Sequence, residues 1–244
     1  MRFSVLTLFP DQVTSFLDKS ITGRAIEKGI ISLDACDIRD HAINDYGKVD
    51  DTLYGGGTGM LMQCDPVYDS WKELCDKAGK KPYTVYVSPK GNVLDQRKVI
   101  ELSKNDHLCI ICGHYEGIDS RVIDEICDEE ISIGDYVLTG GELAACVIID
   151  SVSRMIEGVL PNQEAYSNES HMEGTLEAPQ YTKPDTWHDI KVPEVLLSGD
   201  LKKIRDYNRI MSYIETMQKR PDMFEKLSIS EEDWQKILAL KKSL

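Results

Sequence analysis

No stretch of the 244-residue sequence approaches the ~20 consecutive apolar residues that span a bilayer, so no membrane-spanning helix and no membrane partner are expected. No secretory leader is expected either. MRFSVLTLFPDQ carries a basic residue and a short apolar run, but acid follows at once and no small-residue cleavage site appears. MRFSVLTLF therefore reads as the first buried strand of a cytoplasmic protein. The cysteine count, seven, is odd and scattered, which argues against a secreted disulfide framework. Cys109 and Cys112 form the one CxxC, inside HLCIICG. On a strand their side chains point to opposite faces, and no second pair completes a zinc site, so no metal is expected. Basic charge is also short. Lys and Arg number 28 against 42 Asp and Glu, a formal net charge of −14. That is a poor electrostatic footprint for a nucleic-acid partner, DNA included, though its distribution softens the argument. The excess acid is confined to residues 1–175, and residues 176–244 are neutral, so the two parts read as domains with different partners.

The first 158 residues alternate strand-like and helix-like segments. RFSVLTLF, IISLDACDI, YTVYVSP, HLCIICG and EISIGDYVL read as strands, with Pro89 ending the third. Helical patterns cover residues 12–28 with a break at Gly23, PVYDSWKELCDKA with Pro66 at its first position, LDQRKVIELSK, GIDSRVIDEI and GGELAACVIIDSVSRMI. Residues 40–63 read as irregular, and the acid run DEICDEE (124–130) as a solvated helix end. This rhythm indicates an α/β domain with a largely parallel sheet over residues 1–160. A polar, proline-bearing segment follows at 161–191, long enough to be a functional loop or interdomain linker. Residues 192–244 are helical: Leu201, Ile204, Met211 and Ile214 fall near one face, Lys202, Arg205 and Arg209 near another, and Ser230 is placed to cap EEDWQKILALKK.

Three loops at strand ends carry glycine: YVSPKG, GHYEGID and SIGDYVLTGGE. In a parallel sheet such loops collect on one rim, where ligands bind. Small residues make the pocket wall from backbone, which suits an adenosine-like ligand read by main-chain N–H and C=O groups. A fourth glycine segment, DDTLYGGGTGM (50–60), lacks the Lys-Ser or Lys-Thr of a nucleotide-hydrolase loop, and no GxGxxG joins a strand to a helix. It remains suited to the close approach of a nucleic-acid backbone or base.

DDTLYGGGTGM, VSPKG, GHYEGID, SIGDYVLTGGELAA, IDSVSR and PQYTKP, in this order and spacing, closely resemble the bacterial tRNA (guanine-N1)-methyltransferases of the SPOUT superfamily. The resemblance runs from LTLFP to VLLSGD. It implies an α/β domain with a deep trefoil knot, a small all-helical C-terminal domain, and a homodimer with its active site between subunits. It also implies S-adenosylmethionine as methyl donor, with Mg2+ as a further candidate cofactor, and the tRNA guanosine 3′ of the anticodon as acceptor. Donor-binding residues by this resemblance are Tyr86, Val87, Ser88 and Pro89 in the first loop, and Gly113, Tyr115, Glu116 and Gly117 in the second. The third supplies Ser132, Ile133, Gly134, Tyr136, Leu138, Gly140, Gly141 and Ala144, where the family usually has proline at the last position. Gly140 and Gly141 would let a bent cofactor press against the backbone. Arg154 matches the family's arginine at guanine O6, and Glu169, in NESHMEG, stands where the family's general base is commonly aspartate; Glu173 and Glu177 lie nearby. RNA contacts would fall on Arg24, Asp50, Gly55, Gly56, Gly57 and Gly59, and on Lys202, Lys203, Arg205 and Arg209, with Lys219 and Arg220 extending the basic face.

Two other readings stay open on the sequence alone: a SPOUT enzyme acting on a ribose 2′-hydroxyl or on rRNA, and a non-catalytic adenosine-binding module.

Overall fold

The computed structural model describes residues 1–161 and 169–241. The chain divides into two compact units, Met1–Asn162 and Gln163–Leu244. In the first unit five strands form one sheet: β1 (Arg2–Thr7), β2 (Ser32–Asp37), β5 (Tyr83–Val93), β6 (His107–Cys112) and β7 (Glu129–Ser132). Their order is β2-β1-β6-β5-β7, and every pairing is parallel. β1 and β6 are buried on both faces, so nearly every position along them is buried rather than every second one.

One face packs on α1 (Pro10–Leu17), α2 (Ser20–Glu27), α4 (Gln96–Leu102) and α6 (Glu142–Ser153), through residues such as Val13, Leu17, Ala25, Val99 and Ile148. The other packs on α3 (Cys64–Ala78) and α5 (Ser120–Ile126), through Val67, Leu74, Val122 and Ile126. Cys109 and Cys112 enter these two separate cores, as a spacing of three on a strand requires. All seven cysteines are free thiols.

Several elements depart from the sequence reading, each for a local reason. Residues 12–28 break at Asp18–Lys19, and Gly23 lies inside α2, where a Cβ would stand 2.2 Å from the Asp18 carbonyl oxygen. The glycine lets α2 turn tightly against the end of α1 instead of ending a helix. Helix α3 begins at Cys64, which puts Pro66 third rather than first; its missing N–H is one of the orphan donors of the first turn in either case. Pro89 does not end β5. The register slips between Val87 and Asn92, and the proline sits in that bulge, where the ladder needs no N–H. Conversely, the last strand stops at Ser132, so IGDYVL is loop. The Ser132 hydroxyl accepts the Gly134 N–H at 3.2 Å and turns the chain off the sheet. Residues 40–63, read as irregular, contain a two-stranded ribbon, β3 (Asp50–Thr52) with β4 (Met60–Met62).

In the second unit the helix Leu201–Lys219 packs Ile210, Met211 and Ile214 against Ile237 of the helix Glu231–Lys241. Leu201, expected on the same apolar face, is 69% exposed, because it occupies the first turn beyond the packed region. The Ser230 hydroxyl accepts the Asp233 N–H at 3.1 Å, as its capping position predicts. Parts of the expected linker are built in: Leu176 donates its N–H to Thr216 Oγ1 at 2.8 Å, and residues Thr186–Trp187 and Ile190–Lys191 form a short hairpin. Residues 162–168 of that linker lie outside the described residues.

Candidate active site

A cleft of about 420 Å3 opens at the carboxyl ends of β5, β6 and β7. Every residue expected at a donor site lines it, from Tyr86–Pro89 through Gly113 and Tyr115–Gly117 to Ser132–Gly134, Tyr136, Leu138, Gly140, Gly141 and Ala144. The walls are held by main-chain bonds. The Gly141 N–H donates to the Gly113 carbonyl at 3.1 Å, tying the third loop to the second. The Tyr136 hydroxyl donates to the Ile133 carbonyl at 3.3 Å, and Ser132 Oγ donates to the Gly134 carbonyl at 3.0 Å. Tyr115 holds a left-handed backbone, φ 58°, in the rim of the cleft, a conformation that costs energy for a non-glycine residue and is kept where a site over-determines it.

The protein's own packing supplies a reason for the paired glycines, beside the close cofactor approach expected of them. A Cβ on Gly141 would stand 2.6 Å from Val87 Cγ2 and 2.8 Å from Cys112 Cα. That space belongs to protein atoms, so Gly141 is required by packing of α6 on the strand ends. A Cβ on Gly140 would meet the tips of Glu142 and His114 instead, at 2.3 and 2.8 Å. Glu142, not singled out in the sequence, is buried and accepts a hydrogen bond from Thr7 Oγ1 at 2.7 Å, anchoring the start of α6 to β1. Nothing in GGELAA distinguishes such a carboxylate from an ordinary first-turn acid.

The glycine loop 55–59 adjoins the same cleft, whose lining includes Leu53 and Leu61 on either side of it. Met62 donates its N–H to the Gly117 carbonyl and Glu116 donates to the Met60 carbonyl, both at 3.0 Å. Gly59 lies over Glu116, so that a Cβ there would fall 2.6 Å from Glu116 Oε1. Asp50 begins the ribbon opposite Met62. Arg24 stands exposed on α2 and does not line the cleft.

The acid run 124–130 is not a solvated helix end throughout. Glu129 and Glu130 belong to β7; Glu129 pairs with Lys98 at 3.1 Å, and Glu130 lines the cleft beside Tyr86. Burial, and next the Glu130 charge, push the Tyr86 phenol up to about 12. Asp119 and Arg121 do form a helix start: Asp119 caps α5 and pairs with Arg121 at 2.7 Å, which holds its carboxyl well below the usual range.

Arg154 is not among the cleft residues. It caps the far end of α6, whose 12 residues place it roughly 18 Å along the axis from Gly141. Glu169 belongs to the second unit. There it shares a cavity of about 910 Å3 with Glu173, Glu177, Arg205 and Arg209. Of the expected basic face, Lys203 pairs with Asp200, Arg209 with Asp206 and Asp233, Lys219 with Glu215, and Arg220 with Asp222. Lys202 and Arg205 have no carboxylate at ion-pair distance among the described residues. No helix among the described residues is long and apolar enough to cross a membrane.

The family profile described as tRNA (Guanine-1)-methyltransferase TrmD matches residues 1–226. A tRNA (guanine-N(1)-)-methyltransferase of Ruminiclostridium cellulolyticum is 52% identical over 227 residues, 93% of this chain and 97% of that protein. Proteins of the same name from Finegoldia magna and Clostridioides difficile are 48% and 47% identical, each over 93% of this chain and 96% and 98% of their own length.

Proposed function

The chain belongs to the tRNA (guanine-1)-methyltransferase family, and from that membership and the make-up of the cleft we propose that it transfers a methyl group from S-adenosylmethionine to N1 of the tRNA guanosine directly 3′ of the anticodon, position 37. The observation that carries the donor part is the cleft itself. Its volume lies within the usual range for small-molecule sites, and its walls combine glycine-bearing main chain with apolar and acidic side chains. When bound, the donor supplies a methyl group already activated on a sulfonium. The chain's own task is to make guanine N1 nucleophilic. Glu169 accepts the N1 proton as general base, and Arg154 faces O6, where negative charge develops as that proton leaves.

The reading includes a homodimer. Within one chain Arg154 stands a helix length from the cleft, so a site that uses both draws them from different subunits. The outer face of α6 supports this: Leu143 and Val147, one turn apart, are 63% and 46% exposed. With Arg154 and Glu169 entering each site from opposite subunits, mixing Arg154→Ala chains with Glu169→Ala chains is expected to restore activity well above either parent, because one of the two sites in each mixed dimer is then intact. Sedimentation showing only monomer at micromolar concentration would remove the dimer. The proposal further takes in a trefoil knot in the α/β unit, residues 161–191 as interdomain linker, residues 192–244 as a helical tRNA-binding domain led by Lys202, Lys203 and Arg205, and a cytoplasmic setting. Mg2+ enters only as a screen for phosphate charge against the net −14 of the chain.

The test is direct. The protein is incubated with labelled donor and unmodified tRNA, and the digested nucleosides are identified. 1-Methylguanosine is expected; 2′-O-methylation would move the chain to a sister activity, and absence of transfer would leave a binding module.

A further inference from the structure

Transfer of the methyl group changes the charge of the ligand. The donor carries a sulfonium, an ammonium and a carboxylate, net +1; the thioether product carries only the last two, net zero. The cleft lining is acidic, with Glu116, Asp124 and Glu130 against the single lysine Lys90. Glu130 is the carboxylate placed to act most strongly. It lies directly opposite Tyr86 in the parallel ladder, so both side chains leave the sheet on the same face. Its Oε2 is shielded from solvent and has no hydrogen-bond partner among the described residues. A shielded carboxylate oxygen without a partner is costly unless a cation or donor meets it in the working state. The Tyr86 phenol beside it is pushed up by burial first and by the Glu130 charge second.

We propose that Glu130 is a specificity-determining residue that makes the cleft prefer the cationic donor over the neutral product. This rests on the reading of the cleft as the donor site and adds to it a reason for product to leave once the methyl is gone. Methyl transfer gives the sulfur back the electron pair of its broken C–S bond while N1 forms the new C–N bond, so the positive charge that Glu130 attracted no longer exists at the sulfur.

Calorimetric titration of wild type and Glu130→Gln with three probes tests the idea: S-adenosylmethionine, S-adenosylhomocysteine, and sinefungin, whose amine restores a positive charge near the missing sulfonium. For charges several ångströms apart in a weakly screened site, the variant should lose about tenfold in affinity for the two cationic ligands and less than twofold for S-adenosylhomocysteine. Glu130→Asp should keep most of the preference. Equal losses for all three ligands, or no loss for any, would overturn the charge role. Wild type that binds none of them would instead remove the donor reading beneath it. Should Glu130→Gln fail to fold, Asp124→Asn, on the same wall but exposed on α5, carries the test with a several-fold shift of the same sign.

Discussion

Replacing Glu169 with Gln is expected to leave tRNA and donor binding intact and to slow single-turnover methyl transfer by ~10²–10⁴-fold at neutral pH, the usual contribution of a positioned general base. The amide keeps the size and polarity of the carboxylate and loses its capacity to take a proton. Raising the pH should partly rescue the variant, because a growing fraction of guanine N1 deprotonates without help. Glu169→Asp should be only mildly impaired. The necessary controls come from the structure. Glu173 and Glu177 line the same cavity as Glu169, and the intervening turn closes on itself: the His171 N–H donates to the Thr175 carbonyl at 2.8 Å and the Glu177 N–H to Ser170 Oγ at 3.0 Å. Three carboxylates within one folded turn are chemically interchangeable at first sight. Glu177 Oε2 accepts from Gln180 Nε2 at 2.9 Å. A near-normal rate for Glu169→Gln with a collapse in Glu173→Gln would move the base by four residues; near-normal rates in all three would mean that water takes the proton and this segment only positions RNA.

Why the cleft could be read from sequence and its reasons could not is a matter of what leaves a local trace. Glycine-bearing loops after apolar strands are a local signal, and the parallel sheet carries them to one rim whatever the details. The parallel order, burial on both faces and the helices on each side follow from the same alternation. Non-local effects are silent. IGDYVL has the composition of a strand, but beyond Ser132 the Ser132–Gly134 turn takes the chain off the sheet, so it became cleft wall. Glu130 looked like one more solvated acid, because the partner that gives it meaning, Tyr86, is 44 residues away and meets it only across a strand pair. Glu142 is equally plain in sequence, and its partner Thr7 stands 135 residues earlier. Arg154 could be recognised by motif, yet its distance from the cleft depends on the length and direction of α6. Gly23 and Pro89 were read as breaks, and both proved to be accommodations, one to a tight helix approach and one to a bulge.

The two glycines at 140 and 141, which look equivalent in sequence, should separate sharply by substitution. Gly141→Ala is expected to destabilise the fold outright. Its Cβ would press on Val87 Cγ2 at 2.6 Å and on the Cys112 backbone at 2.8 Å, and the backbone of a buried central strand has nowhere to go. Overpacking of this kind costs about 1–3 kcal/mol and more where backbone must move; at roughly 2–4 °C per kcal/mol for a chain of this size, Tm should fall by up to about 10 °C. Gly141→Val, with two further methyl groups in the same space, should not yield folded protein. Gly140→Ala meets only the ends of the Glu142 and His114 side chains. These can turn aside, but doing so disturbs the Thr7–Glu142 bond at 2.7 Å and a histidine that lines the cleft. Its signature should therefore be the reverse: a small change in Tm and a clear loss of affinity for S-adenosylhomocysteine. Calorimetry on the three variants measures both quantities. An unchanged Tm for Gly141→Ala would show that α6 can shift away from the strand ends, and the requirement for glycine there would then have to come from the ligand after all.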